Sequence, residues 1–209
     1  GTNTAFNFDI TSDYFENTGF IASDNGAAQP KYGTFTLRAN TVKFDGGQIK
    51  AGAESKLVVK DLKLHGVSLS SADSLVLDVS NSISDGGDGG ANLISVKGIH
   101  LTRKPLLGDF LGSTIVSKIP KFLAIPHTWA AEDRGPVPAG FKDNAAVGRL
   151  VLDGDVLSQF VFRGATGHSA LYVDFLELKG SVLDNIKEAL QIESSLVIYF
   201  ADSNIAPEG

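Results

Sequence analysis

Cysteine and methionine are both absent from this 209-residue sequence. Without cysteine, the chain has no disulfide scaffold, no thiol nucleophile and no Cys-ligated zinc. The same absence is compatible with an exported bacterial protein. Because the sequence begins Gly1-Thr2-Asn3 and not with methionine, we expect a processed or cloned piece of a longer product, and a cleaved signal peptide is one candidate for the missing part.

Basic residues are outnumbered and long apolar runs are missing. Lys and Arg total 18 against 24 Asp and Glu, which gives a net charge of −6. Phosphate binding needs a basic face, so we expect no nucleic-acid partner. No apolar run reaches the ~18–20 residues of a membrane span, so none is predicted. The apolar fraction of 43% argues against disorder, and we interpret residues 1–209 as a single domain.

Short β-prone runs separated by small polar residues fill the chain. Gly occurs 23 times and Phe 13 times, against one Trp. Thr34-Phe35-Thr36-Leu37-Arg38 alternates polar and apolar residues, and similar runs recur about every 7–10 residues up to Leu101. Alternation at every second residue places one face inward and the other in water. The sequence therefore predicts an all-β fold.

Two β architectures fit this spacing. A β-solenoid-like body over residues 20–102 would stack short strands in coils, whereas a β-sandwich or jelly roll would join longer antiparallel strands by hairpins. The runs are short, and the phrase at 56–60 is similar to the phrase at 74–78. These features favour the solenoid, with the sandwich as the alternative.

The segments around this body have their own patterns. Residues 1–19 alternate well enough to form a strand that adds to a sheet edge. Residues 103–144 hold five of the seven prolines, which strand ladders tolerate badly. We expect this proline-rich segment to be an irregular excursion that packs as a cap or flank.

Residues 145–209 form a predicted hairpin, strand, helix and strand unit. Asp153-Gly154 lies between two β-rich runs and predicts a two-residue hairpin turn with Gly154 at positive φ. A strand is predicted at 170–178, and the one short helix at 181–190 because its apolar residues share a face. The apolar run at 196–202 predicts a strand that is buried on both faces.

The C-terminal part resembles very large exported bacterial proteins. The block from Ala170 to Leu178, the helix after it, and the run from Leu196 to Asp202 are similar to a pattern in filamentous-haemagglutinin and autotransporter-type β-helix exoproteins. The phrases Ser74–Val79 and Ile94–Val96 are similar to their solenoid rungs. The resemblance implies a secreted or surface-displayed structural module with no catalytic motif. Segment 103–144 and the predicted hairpin depart from a clean solenoid.

One glycine-rich turn could hold a metal. Asp85-Gly86-Gly87-Asp88-Gly89-Gly90 brings two carboxylates and several carbonyls close together, and Ca²⁺ prefers such oxygen ligands. Calcium-binding β-rolls need stacked copies of a related motif, and only one copy is present. We therefore name Asp85 and Asp88 as metal candidates beside the simpler interpretation of a glycine loop. No cofactor is predicted.

A second candidate site surrounds the single tryptophan. Trp129 and His127, followed by Glu132 and Asp133, combine an aromatic platform with carboxylates, as carbohydrate sites do. The alternative is a Trp that anchors an irregular loop. No hydrolase elbow, phosphate loop or histidine pair is present, so no catalytic residue is named.

Three functions follow from these patterns. The first is a non-enzymatic structural or adhesive module of a secreted or cell-surface protein, which self-associates by strand addition into fibres or binds a cell-surface ligand. The second is a carbohydrate-binding module that takes a glycan at Trp129 and His127. The third, an enzyme acting on polysaccharides, needs a carboxylate cluster that the sequence does not display.

Overall fold

Two stacked β-sheets make up this protein, as described by a computed structural model for residues 6–23, 33–86 and 91–205. Strands account for 64% of the chain and helices for 6%, which confirms the predicted all-β class. In chain order the strands are β1 (Phe8–Asn17), β2 (Phe20–Ala22), β3 (Phe35–Asp45), β4 (Gln48–Ala51), β5 (Ser55–His65), β6 (Ser68–Ser71), β7 (Ser74–Asp85), β8 (Asn92–Val96), β9 (Gly98–Leu101), β10 (Phe110–Ile119), β11 (Ala124–Trp129), β12 (Ala131–Glu132), β13 (Val147–Gly154), β14 (Gln159–Gly164), β15 (Ser169–Gly180), β16 (Leu190–Ile192) and β17 (Leu196–Ser203).

Successive strands enter the two sheets alternately, apart from β12 and β13, which both join sheet B. Sheet A has the order β1-β3-β5-β7-β9-β11-β14-β16. Sheet B has the order β12-β15-β13-β10-β8-β6-β4-β2, and β17 pairs with β15. Among the described strands, only the short β12 pairs antiparallel. The hairpin-joined antiparallel strands of the sandwich alternative are therefore not found in this part of the chain.

Rows of aliphatic side chains fill the space between the sheets. The row in sheet A is at most 1% exposed and consists of Leu37, Leu57, Leu77 and Leu101. The row in sheet B is at most 4% exposed and consists of Ile49, Leu69, Ile94, Ile115, Leu150 and Leu176. Each such side chain contributes about 1.5–3 kcal/mol on burial. The core therefore runs along the stack as a continuous column.

The register also corrects the repeat suggested by the sequence. The similarity of 56–60 to 74–78 would align Leu57 with Leu75, whereas the structure aligns Leu57 with Leu77. A shift of two residues keeps every side chain on the same face, so the hydrophobic pattern alone could not separate these alignments. Gly46 and Gly66 have φ of 71° and 60° and turn the chain from sheet A to sheet B.

The predicted hairpin at Asp153-Gly154 is wrong. Strand β13 belongs to sheet B and β14 to sheet A, so the two strands do not pair. Gly154 ends β13 without a positive φ, and the chain turns instead at 155–158, where Leu157 has φ of 56°. The apolar runs on either side of Asp-Gly face a common core from opposite sheets, and a hairpin would produce the same local pattern.

Segment 103–144 is more regular than predicted. It contains β10 and β11, which continue sheets B and A, followed by β12 and a 3₁₀ turn at Pro138–Phe141. Pro126 lies within β11, whose register with β9 is limited to Thr128 and His100. Its main irregular parts are residues 103–109, before β10, and the loop 133–144, which packs on the outer face of sheet B.

The helix and the last strand differ in detail from what the sequence predicts. The helix at 181–190 is present as two single turns, α1 (Ser181–Asp184) and α2 (Ile186–Ala189), separated by Asn185. Neither turn has a side-chain cap. Strand β17 occupies the predicted position but is not buried on both faces, because it pairs only with β15 and lies at the end of sheet B.

Candidate functional site

The predicted ligand residues His127 and Trp129 lie in the core. Each is 2% exposed. The His127 ring stacks on Phe162 with centroids 4.6 Å apart, and its Nδ1 accepts a hydrogen bond from the Ile99 amide at 3.4 Å. The Trp129 ring lies 6.1 Å from Phe110.

This environment corrects the proposed sugar platform. The cavity beside His127 and Trp129 has a volume of about 10 Å³, which is far below the size of a ligand site. Burial lowers the pKa of His127 to about 3, so its imidazole is neutral in the folded protein. These residues pack β11 into the core and do not meet a ligand at the surface.

The structure describes only one of the two predicted metal candidates. Asp85 ends β7, whereas Asp88 lies outside the described residues. The Asp85 carboxylate accepts a hydrogen bond from the Asn92 side chain, and burial raises its pKa above the usual value. Among the residues described, no group of three or more histidine or carboxylate side chains could hold a metal ion. The described residues therefore do not add ligands to the Asp85 candidate.

A groove lined mainly by small and polar residues follows the carboxyl ends of the sheet B strands. It has a volume of about 840 Å³. It crosses from β4 to β15, six strands in all, which is about 24 Å at the usual strand spacing. Three of its charged side chains are Lys97, Lys118 and Asp153; Lys118 pairs with Asp153 at 3.2 Å, and Lys97 with Asp73 at 2.9 Å. The charges at these positions are mostly balanced, so the groove does not select a ligand of one sign.

A second opening, here called the Tyr199 cleft, lies on the outer face of sheet B. Its volume is about 550 Å³. It is lined by Leu111, Pro136, Val137, Pro138, Phe141, Asp174, Tyr199, Phe200 and Ala201. It therefore brings together loop 133–144 and three strands of sheet B.

Stacked aromatic rings form the base of this cleft. Tyr172 and Tyr199 occupy paired positions of β15 and β17, and their rings stack with centroids 5.0 Å apart. Phe141 meets Tyr172 edge-on at 5.3 Å. The Tyr172 hydroxyl donates to the Gly135 carbonyl at 2.9 Å and accepts from the Arg134 amide at 2.8 Å. Tyr172 thus fixes loop 133–144 to the sheet.

Two polar side chains, the part-buried Asp109 and the buried Asn144, hold the far end of the same loop. Asp109 accepts hydrogen bonds from the amides of Asp143, Asn144 and Ala146 at 2.7–2.9 Å. The Asn144 side chain accepts from the Glu132 amide and donates to the carbonyls of Glu132 and Gly140. The wall of the cleft is therefore built from a well-anchored loop.

Sequence reasoning missed this cleft because its residues are far apart in the chain. Tyr172 and Tyr199 each lie in a β-prone run and look like ordinary strand residues. Only the pairing of β15 with β17 places them side by side, and only the loop Pro136-Val137-Pro138 closes the opening. The two prolines of that loop were the available signal for exposed, stiff backbone.

No described helix is long and apolar enough to span a membrane. Comparison with protein-family models, with curated protein sequences and with solved structures finds no match for this chain.

Proposed function

We propose that this chain is a non-enzymatic structural or adhesive module of an exported surface protein, and that its strands form the coils of a β-solenoid. The observation that carries the proposal is the alternation of successive parallel strands between two sheets. Each coil then adds one strand to each sheet and one layer to the core. Such a body is long and regular, and it suits display or scaffolding more than catalysis.

The two ends of the stack support self-association. Among the described strands, β1 pairs only with β3, and β17 pairs only with β15. Unpaired edges of parallel sheets can accept a strand from another chain. Exposed aromatic side chains lie at both ends, including Phe20 (63%) in β2 and Phe200 (46%) in β17. A contact between opposite ends is heterologous and would extend into a fibre.

The carbohydrate alternative loses the residues on which it depended. It required an exposed Trp129 with His127, and both are buried. The absence of cysteine and the resemblance to β-helix exoproteins support export. Finding the protein in the medium or on the cell surface of its source organism would test that part of the proposal.

Engineered disulfides test the coil arrangement directly, because the chain has no cysteine of its own. Thr36 faces Lys56, and Lys43 faces Lys63, across the β3–β5 pair. Neighbouring strands lie about 4.8 Å apart, within the Cα range that a disulfide spans. Cysteine pairs at 36/56 and at 43/63 should both cross-link on oxidation.

The matched control combines the same positions out of register. The variant with cysteines at 36 and 63 places them about 23 Å apart along the strands and should remain reduced. In an antiparallel pairing the register reverses, so at most one of the two in-register pairs could form. Failure of either in-register pair would refute the parallel coils.

Fibre formation is tested separately by light scattering and negative-stain microscopy of the full chain. We expect the apparent mass to rise with concentration, and the Phe20→Lys variant to weaken this rise by placing a charge on the β2 edge. Leu106→Lys changes a side chain of similar exposure (67%) away from both ends and should leave association unchanged. A wild-type protein that stays monomeric at high concentration would eliminate the fibre but not the coils.

A further inference from the structure

The Tyr199 cleft differs from the outward strand positions in being apolar. Leu111 and Val137 are 46% and 44% exposed and line one opening, together with Pro136, Pro138 and Phe141. Elsewhere the outward positions of the strands carry mainly Lys, Ser, Thr and Asp. Contiguous apolar surface of this kind marks an interaction site. Its volume of about 550 Å³ lies within the usual range of ligand pockets.

One charged group enters this apolar lining. Asp174 is the only charged residue among the described residues that line the cleft. It is exposed and makes no hydrogen bond or ion pair with another described residue. Its neighbour on the same strand, Glu177, is paired with Arg149 at 2.8 Å and with Lys179 at 3.3 Å. Asp174 is therefore available for a cation supplied from outside.

The aromatic rings beside Asp174 favour the same charge. A guanidinium group stacks on Tyr and Phe faces and pairs with a carboxylate through two parallel hydrogen bonds. Tyr199 and Phe141 provide the rings. A second carboxylate, Asp133, lies close to Tyr199; partial burial and this carboxylate together raise the pKa of the Tyr199 phenol. The charge in this region is thus negative.

The arginine of loop 133–144 is already engaged within that loop. The Arg134 guanidinium donates to the carbonyls of Lys142 and Ala139 at 2.7 and 3.0 Å and pairs with Glu132 at 3.2 Å. It holds loop 133–144 closed on itself. The cleft wall is therefore rigid before a partner binds, and this rigidity reduces the entropy lost on binding.

We propose that the Tyr199 cleft binds a proline-rich peptide segment that carries an arginine. The arginine pairs with Asp174 over the aromatic rings, and the prolines contact Leu111 and Val137. Aromatic-lined grooves recognise proline-rich segments because the extended polyproline conformation is already formed in the free peptide. The cleft includes residues of β17, the end strand of sheet B, but its test measures peptide binding by the folded chain and does not depend on whether fibres form.

The probe is a fluorescein-labelled Pro-Pro-Arg-Pro-Pro peptide, followed by fluorescence anisotropy against the full chain. The control peptide contains citrulline, which keeps the shape of arginine and lacks its charge. We expect saturable binding of the arginine peptide and at least threefold weaker binding of the citrulline peptide. Raising the salt concentration should reduce the difference between the two peptides.

Three variants locate the site. Asp174→Asn should remove the preference for arginine over citrulline, and Leu111→Ser should weaken both peptides. Asp184→Asn makes the same chemical change in α1, beyond the opposite end of β15, and should bind like the wild type. Circular dichroism and melting temperature verify that each variant is folded.

Several outcomes would overturn the proposal. They are absence of binding at millimolar peptide, equal affinity for the citrulline peptide, and an unchanged preference in Asp174→Asn. If glucose or N-acetylglucosamine binds in a Leu111-dependent manner and the peptide does not, the cleft is a carbohydrate site and the peptide proposal is refuted. None of these results would affect the disulfide or light-scattering tests of the proposed function.

Discussion

The Asp109 carboxylate holds the segment that precedes β13, and replacing it by asparagine removes one of its two acceptor oxygens. Its Oδ2 accepts from the Asp143 amide at 2.7 Å, and its Oδ1 accepts from the amides of Asn144 and Ala146 at 2.9 and 2.8 Å. The segment that it holds is strained, since Asp143 and Ala145 have φ of 50° and 54°. The carboxylate therefore compensates a backbone conformation that these residues rarely adopt.

The size of the effect follows from the number of acceptors. Asparagine keeps one oxygen, which can serve Asn144 and Ala146, but its NH₂ group then faces the Asp143 amide, and two donors meet. A hydrogen bond to a charged group contributes about 1.5–3 kcal/mol, so we expect a loss of about 2–3 kcal/mol. In a protein of this size, each kcal/mol corresponds to about 2–4 °C, which predicts a melting temperature lower by about 4–12 °C.

Thermal and urea unfolding followed by circular dichroism measure this loss. Asp174→Asn is the matched control, because Asp174 is exposed and makes no described hydrogen bond or ion pair, and it should stay within about 0.5 kcal/mol of the wild type. An Asp109→Asn protein as stable as this control would show that the three amide contacts do not hold the loop.

Three further predictions concern a closely packed glycine, a buried histidine and calcium. Gly154→Ala should lower the melting temperature, because the added Cβ would lie 2.5 Å from Val182 Cγ2. The control is Gly167→Ala, whose added Cβ meets nothing within 4 Å and should be tolerated. Equal melting temperatures of the two variants would contradict this prediction. The pKa of His127 is lowered from 6.5 to about 3, so the unfolded chain binds an extra proton between these values. Acidifying from pH 7 to 5 should therefore cost about 2 kcal/mol, and the His127→Phe variant should lack this part of the loss. Millimolar calcium should leave the melting temperature unchanged; a rise of several degrees that Asp85→Ala abolishes would show a metal site.

Local sequence patterns alone predict the class of the fold and most of the strands. Alternating residues such as those at 34–38 place one apolar face inward wherever the chain is extended, so the all-β prediction did not depend on knowing which strands pair. The terminal run at 196–202 was likewise identified as a strand. These are local properties, set by side-chain periodicity and β propensity.

Pairing partners were decided only by the tertiary structure. The runs around Asp153-Gly154 read equally well as a hairpin or as strands of two facing sheets, because both arrangements bury the same residues. Pro126 in β11 likewise led to the prediction that segment 103–144 is irregular. A proline at a locally incomplete ladder removes few hydrogen bonds and costs little stability.

Burial of single side chains likewise required the whole fold. Trp129 and His127 looked like a surface site because carboxylates follow them in sequence, but the inward positions of β11 place both rings in the core. Tyr172 and Tyr199 are 27 residues apart and meet only because β15 and β17 are neighbours. Local periodicity determines which face of a strand is apolar, whereas long-range packing determines which residues share a surface. The Tyr199 cleft depends on long-range packing and is therefore visible only in the tertiary structure.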